Sequence, residues 1–296
     1  MPRGRNPSTM RVAVAVNTSE HADPEAQERV LEVLRLEPAG LFTDIDGTIS
    51  AIAPTPPEAV VTNSAREALR RLEGRLALVG AVTGRAADDG AKMIGIPGLL
   101  VVGNHGMEWL HRGNRWVHPA AEASRASLAA ALADVGAALA AAGVDAGVVL
   151  EDKRLSASIH YRLAPNHLMA RDVILSAAGE AAALRGLRIT EGRYVVELRP
   201  EVVINKGTAI ADLTRTHSLN GVVYIGDDIT DVDAFVAVHK LRESGAVAAL
   251  AVAVLSAETH PSVSSMADVT VTGVGECIDL LTSVARALDG DGAEVK

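Results

Sequence analysis

Aromatic side chains are scarce in this 296-residue chain, which has two Trp, three Tyr and two Phe. With 48% hydrophobic residues it can still bury real cores, so disorder and fibre are excluded for the bulk and packing must rest on aliphatic side chains. Cysteine is scarcer still. Cys277 stands alone, which excludes an intramolecular disulfide and gives no reason to expect an oxidising compartment. Basic charge is also short: 28 Lys and Arg face 37 Asp and Glu, for a net charge of −9, whereas a general nucleic-acid binder needs a basic face for the phosphate backbone. Long apolar runs are missing too. Gly245 to Leu255 reaches about half of the ~20 residues that cross a bilayer, and Val12 to Val16, behind Arg3 and Arg5, is too short for the apolar region of a signal peptide. The expectation is a cytoplasmic protein with no membrane or nucleic-acid partner; the sequence carries no sign of an oligomeric state.

What is present follows an alternating rhythm. Residues 1 to about 22 are polar and aperiodic, and a short helix is expected from Pro24, with Asp23 as its cap, so 1–38 reads as an extension. From Gly40 onward strands and helices alternate (strand 41–44, helix 64–72 with Asn63 as cap, strand 76–83, helix 86–93, strand 99–102), as in a parallel α/β sheet, and 106–117 looks like a hairpin turning at Arg112 to Asn114. Between 119 and 198 the order changes to αββαββ, with an Ala-rich helix over 120–142, which suggests two helices on a four-stranded antiparallel sheet. After Pro200 the α/β alternation resumes. The length suits two domains, and the pattern divides them as a discontinuous core, 39–118 and 199–296, around an inserted domain, 119–198.

Polar residues recur at the ends of the apolar strands. Leu41-Phe42-Thr43 runs into Asp44-Ile45-Asp46-Gly47-Thr48; open α/β sheets bind ligands beyond the carboxyl ends of their strands. Two carboxylates at i and i+2 can share a hard divalent cation, and Gly47 lets backbone N–H groups approach a phosphate. Taken alone, Asp-x-Asp-Gly serves equally well as an Asx-type turn. Asp227-Asp228-Ile229-Thr230-Asp231 follows the strand Val222 to Gly226, where aspartates commonly cap the next helix. Two acidic strand ends in one sheet are costly without a cation, however, and Mg²⁺ would resolve the repulsion. Thr83-Gly84-Arg85 and Asn205-Lys206-Gly207 add a hydroxyl, backbone N–H groups and an ammonium, the donors that suit a phosphoryl group. Separately they are an ordinary turn and an ordinary surface lysine.

In their order along the chain these four segments resemble the haloacid dehalogenase superfamily of phosphotransferases, with its DxDGT, Ser/Thr, Lys and GDD-type motifs. The resemblance implies a Rossmann-like core with a parallel sheet and an αββαββ cap. It makes Asp44 the nucleophile, Asp46 the acid and base, and Thr83 and Lys206 the holders of the phosphoryl oxygens. Asp44, the backbone carbonyl of Asp46, and Asp227 would hold Mg²⁺, with Asp228 and Asp231 close by. A carboxylate attacking an anionic phosphate needs its repulsion offset by a cation and a lysine.

Within that superfamily the insert is similar to the cap of the trehalose-6-phosphate phosphatases. The motifs are Gly103 to Glu108, Glu151-Asp152-Lys153, His160-Tyr161-Arg162, Glu197-Leu198-Arg199-Pro200, and Gly226 to Asp231 with Phe235. By this resemblance Asn104, His105, Glu151, Lys153, Arg162 and Glu197 contact the sugar; Glu151 and Lys153, at i and i+2, share a strand face. The implied partner is a small sugar phosphate: trehalose 6-phosphate, or alternatively sucrose phosphate or mannosyl-phosphoglycerate. The chain departs from the family at Val232, where an acidic residue is usual, which places the departure beside the metal rather than among its ligands. The expected protein is a stand-alone phosphatase without a synthase-like domain.

Overall fold

The computed structural model describes residues 23–291; the polar segment 1–22 lies outside them. The helix expected from Pro24 is α1 (Pro24–Leu34), capped by Asp23, whose Oδ1 accepts from Glu25 N at 3.1 Å. Then follow β1 (Ala39–Thr43), α2 (Asn63–Glu73), β2 (Leu78–Val82), α3 (Ala87–Ile94) and β3 (Leu100–Gly103). The cap of α2 is Thr62 rather than Asn63: its Oγ1 accepts from Ala65 N at 3.2 Å. The hairpin is β4 (Glu108–His111) and β5 (Asn114–Val117), turning through Arg112 and Gly113 at positive φ, the conformation a two-residue hairpin turn needs.

The next stretch holds α4 (Pro119–Ala123), α5 (Arg125–Ala142), β6 (Val149–Asp152), β7 (Ala157–His160), α6 (His167–Arg185), β8 (Leu187–Gly192) and β9 (Val195–Pro200). The expected single helix over 120–142 is thus broken at Ser124. The chain ends with α7 (Lys206–Thr216), β10 (Gly221–Gly226), α8 (Val232–Glu243), β11 (Ala248–Leu255), α9 (Pro261–Ser265), β12 (Val269–Thr272) and α10 (Gly273–Asp291).

Two sheets result. The larger runs β12-β11-β10-β1-β2-β3-β4-β5, parallel except for the hairpin at its edge; the smaller runs β6-β7-β9-β8 and is antiparallel throughout. This is the expected α/β class, a Rossmann-like parallel sheet with a separate four-stranded antiparallel layer. The chain leaves β1 for β2 and β3 on one side and returns to β10 and β11 on the other. The carboxyl ends of β1 and β10 therefore open a crevice, the place where such sheets bind ligands.

The few aromatics are not spread evenly. Among the described residues the face of the large sheet covered by α1, α2 and α10 packs without an aromatic side chain, on residues such as Leu31, Leu41, Leu69, Val223, Val252 and Leu281. Phe42, Tyr224 and Phe235 are fully buried together on the opposite face, beneath the crevice. In the smaller layer Leu128, Val135 and Leu139 of α5 and Ile174 of α6 cover Ile159, Val196 and Leu198. Among the described residues α5 alone is long and apolar enough in composition to cross a membrane, which the survey of apolar runs missed because its apolarity is alanine; its buried stripe lies on the small sheet.

Candidate active site

Asp44 follows β1 directly, and its backbone N–H donates to Ile225 O on β10 (2.8 Å), which ties the two strand ends together. The chain turns at Gly47, where φ is +86° and a Cβ would lie 2.0 Å from Asp227 Oδ2. Only glycine lets the two acidic segments come this close. Thr48 Oγ1 then donates to Asp227 Oδ1 (3.1 Å) across the gap.

Asp44, Asp227 and Asp231 are all buried, with carboxylate oxygens within 4.8 Å of one another. Asp231 has no spare acceptor position. Its Oδ1 accepts from Lys206 Nζ (2.7 Å) and Tyr224 Oη (2.5 Å), and its Oδ2 accepts from the backbone N–H groups of Asp227 (3.1 Å) and Asp228 (3.0 Å). Lys206, at the start of α7, is itself buried and reaches Asp44 Oδ1 at 3.1 Å as an ion pair, although that oxygen receives no well-aligned hydrogen bond. Burial opposes the ammonium, yet Asp231 and Asp44 hold it above the ordinary lysine range.

The carboxylates are strained in the opposite sense. Burial pushes Asp44 up to about 7 against the pull of Lys206, with Asp231 and Asp46 adding repulsion. Burial, followed by Asp44, Asp231 and Asp228, pushes Asp227 up to about 9. One ammonium among three buried carboxylates leaves an excess of negative charge, which a divalent cation on hard oxygen ligands would relieve. Asp44 and Asp227 keep oxygens free for such an ion, whereas Asp231 is fully engaged in fixing Lys206. The residues present therefore fit a divalent metal.

Asp46 is held differently. Arg85 Nε and Nη2 donate to its Oδ2 (2.6 Å) and Oδ1 (2.7 Å), and Nη2 also donates to Pro56 O (3.0 Å). This two-pronged contact is the geometry a guanidinium makes best with a carboxylate. Thr83, at the end of β2, is buried beside it, with its Oγ1 accepting from Arg85 N (3.2 Å).

Opposite these groups stands the small sheet. Its strands alternate, so Ala157, Ile159, Val196 and Leu198 face the helices while Glu151, Ser158, His160, Glu197, Arg199 and Arg188 face a cavity of about 930 Å³ shared with the crevice. The register sets Glu151, Ser158, Glu197 and Thr190 in one row across four strands. Glu197 Oε1 accepts from Lys153 Nζ (3.2 Å) and Ser156 Oγ (3.2 Å), and its Oε2 lies 3.1 Å from His105 Nε2. Burial raises the Glu197 carboxyl, but Lys153, His105 and Arg199 together hold it well below the usual carboxylate range. Glu151 pairs with His160 (2.8 Å), and the Arg162 guanidinium lies 5.1 Å from the Tyr194 ring centroid. At the tip of the β8–β9 hairpin, Arg193 donates to Glu258 O (2.7 Å), tying the small sheet to the loop after β11.

Of the residues expected from sequence, Asp44, Asp46, Thr83, His105, Glu151, Lys153, Arg162, Glu197, Lys206 and Asp227 all line this one cavity. Asn104 does not. It is fully buried behind the wall, its amide nitrogen donating to Glu108 Oε1 (2.7 Å) and its oxygen accepting from Ser156 Oγ (2.7 Å). Sequence reasoning gave no role to Arg85 and Arg199, although both stand in its motifs, and did not single out Ser158 or Arg188. Arg199 could have been found, because it stands two residues after Glu197 and so shares its strand face; nothing local marks Arg188 or Ser158.

The fold, with an acidic centre at the strand ends of a parallel sheet facing a polar second sheet, is of the haloacid dehalogenase type. A solved structure of the C-terminal domain of Candida albicans trehalose-6-phosphate phosphatase overlays with a TM-score of 0.72 at 18% identity, covering 89% of this chain and 96% of that one. More specifically, the trehalose-phosphatase profile matches residues 42–273, and the chain belongs to the trehalose-phosphatase family. The trehalose-phosphate phosphatase of Mycobacterium avium is 39% identical over 208 residues, 67% of this chain and 51% of that protein. An uncharacterized glycosyl hydrolase of Mycobacterium tuberculosis is 35% identical over 207 residues, 67% of this chain and 15% of that protein. The chain thus spans at most about half the length of these curated relatives.

Proposed function

We propose that the chain is a Mg²⁺-dependent phosphatase that hydrolyses trehalose 6-phosphate to trehalose and inorganic phosphate through an aspartyl-phosphate on Asp44. The observation that carries this reading is the Asp44, Lys206, Asp231 and Asp227 cluster, which opens into the same cavity as the polar face of the small sheet. One wall offers a nucleophile beside fixed positive charge; the other offers donors and acceptors suited to sugar hydroxyls. Membership of the trehalose-phosphatase family supports the choice of sugar.

In the first step an Asp44 oxygen attacks phosphorus, the bond to the sugar 6-oxygen breaks, and Asp46 gives that oxygen its proton. In the second, water attacks the phosphorus, its proton goes to Asp46, the bond to Asp44 breaks, and phosphate leaves. Mg²⁺ held by Asp44, the Asp46 carbonyl and Asp227 would neutralise the negative charge that otherwise repels the phosphoryl group. Lys206, fixed by Asp231, and Thr83 hold phosphoryl oxygens. Arg85 keeps the Asp46 carboxylate in place, and acid duty in the first step requires that contact to open. Glu151 also attracts the Arg85 guanidinium, and so offers it a second carboxylate on the opposite wall.

In this reading residues 119–198 act as a cap over the core halves 39–118 and 199–296, with 1–38 as an extension. Glu151, Lys153, Arg162 and Glu197 contact the sugar, with His105 steering Glu197, while Asn104 acts from behind the wall by fixing Ser156 and the loop of Lys153.

The test is phosphate release from trehalose 6-phosphate, sucrose 6-phosphate and glucose 6-phosphate side by side, with and without a chelator. A preference for trehalose 6-phosphate that disappears with chelation and returns with Mg²⁺ is the expected result. Equal rates on all three would remove the assignment of the sugar, and metal-independent turnover would remove Mg²⁺.

A further inference from the structure

The small-sheet wall contains a pair of positive charges that the proposed reaction does not use. Arg199 on β9 and Arg188 on β8 stand directly opposite each other in the antiparallel register, and both line the cavity. Like charges facing each other across two strands destabilise a sheet unless something lies between them. Arg199 is only 5% exposed, and among the described residues its Nε and Nη2 have no hydrogen-bond partner; neither does Nε of Arg188. A buried guanidinium with unsatisfied N–H groups is costly.

The carboxylates nearby do not account for the pair. Glu197 Oε2 lies 4.0 Å from Arg199 Nε, but that oxygen already faces His105 and its neighbour already accepts from Lys153 and Ser156. Asp233, at the start of α8, feels both arginines from across the cavity. Among the described residues it makes no ion pair with either. On the adjoining strand the buried Ser158 Oγ, opposite Glu197, is also without a partner among the described residues. Two guanidinium groups and a hydroxyl, aimed into one cavity with N–H and O–H groups to spare, match a tetrahedral oxyanion, whose oxygens accept paired hydrogen bonds from arginine.

We propose that Arg199 and Arg188 form an oxyanion seat on the small-sheet wall, and that it takes inorganic phosphate, the anion released into the same cavity by the Asp44 centre. The naming of phosphate rests on the function proposed above, whereas the seat itself rests on the two arginines alone. Phosphate leaving Asp44 passes this wall, so the seat retains product and makes phosphate an inhibitor that binds apart from the Asp44 centre.

The experiment is calorimetric titration of the whole chain with inorganic phosphate, and in parallel with sulfate, comparing wild type with Arg188→Gln and Arg199→Gln. Arg188 lies on an edge strand and is half-buried, so its variant keeps the test available if Arg199→Gln fails to fold. Both anions should bind, about tenfold more weakly in the Arg188 variant, as expected for the loss of one charge-assisted contact. In turnover, phosphate should inhibit wild type in a mixed pattern and the Arg188 variant in a purely competitive one. Equal phosphate affinity in wild type and both folded variants overturns the seat. A raised KM for trehalose 6-phosphate in Arg188→Gln, with phosphate affinity unchanged, would assign the arginines to substrate instead and overturn the proposal. Should the chain hydrolyse no trehalose 6-phosphate, the proposed function fails while the titrations still decide the seat.

Discussion

On the core wall of the cavity, Asp231 has its acceptor positions filled and Lys206 is clasped between two carboxylates. On the small-sheet wall, Ser158, Arg188 and Arg199 keep buried polar atoms without partners among the described residues. Groups that must act on a fixed phosphoryl centre gain from arrangement before the substrate arrives, since nothing then has to reorganise during the reaction. Groups that recognise a polar ligand do the reverse: they leave donors and acceptors open, at a cost in the empty state that the ligand's own oxygens offset. The core wall thus reads as the reacting side and the small sheet as the selecting side, and substitutions should separate the two.

The largest effect is expected on the reacting side. Asp44→Asn removes the proposed nucleophile but keeps the shape, and turnover of trehalose 6-phosphate should fall by about four orders of magnitude or more. The same variant relieves repulsion with Asp231, so a thermal melt should show a fold at least as stable as wild type. Residual turnover near the wild-type rate would mean that Asp44 is not the reacting group and that the core wall has been misread.

Arg85→Gln tests whether the hold on Asp46 belongs to the reacting side. With the two-pronged contact gone, Asp46 loses its orientation, and kcat should fall about 10- to 100-fold with little change in KM. A rise in KM at constant kcat would move Arg85 to the selecting side. The opposite signature is expected from Lys153→Ala. It takes away one of the groups holding Glu197, and should raise KM for trehalose 6-phosphate about tenfold while leaving hydrolysis of p-nitrophenyl phosphate, which has no sugar, within about twofold. Equal losses on both substrates would erase the distinction between the walls.

The two walls also differ in how readily the sequence shows them. Asp44, Asp46, Thr83, Lys206 and Asp227 each sit at a strand end or helix start inside a short motif, and parallel strands carry all their carboxyl ends to one edge, so local patterns suffice. The small-sheet wall is assembled by register. Arg188 and Arg199 meet only because β8 pairs with β9, and Ser158 stands opposite Glu197 only because β7 pairs with β9; a chain read in order shows no adjacency between them. Asn104 misled for another reason. Its motif lies beside the cavity, but it takes a positive φ of 48° and turns its amide inward to Glu108 and Ser156, a local backbone choice that side-chain chemistry does not announce. The aromatics show the same limit, since Phe42 and Tyr224 meet Phe235 beneath the crevice only through the sheet face that each strand position takes.

The smallest expected effect concerns stability, and it tests the charge excess of the core wall without any turnover. Without metal, Asp44 and Asp227 sit at about 7 and about 9 in the folded chain, against roughly 3.9 for an unfolded aspartate. Between those limits the folded state binds more protons than the unfolded one. Their contribution is therefore complete below about pH 4 and is lost as pH rises through 7 and 9. Glu197 and Lys206 do not imitate this trend: Glu197 lies well below its ordinary range, so its contribution is complete above about pH 5, and Lys206, raised above its ordinary value, keeps its charge throughout; His105, which burial lowers, works against it near pH 6. Melting temperatures of the chelator-treated protein should consequently fall from pH 6 to pH 9, and Mg²⁺ should restore more stability at pH 9 than at pH 6, because it replaces the protons that these carboxylates otherwise retain. A metal-free melting temperature that climbs over that interval would show that the core wall carries no surplus of negative charge.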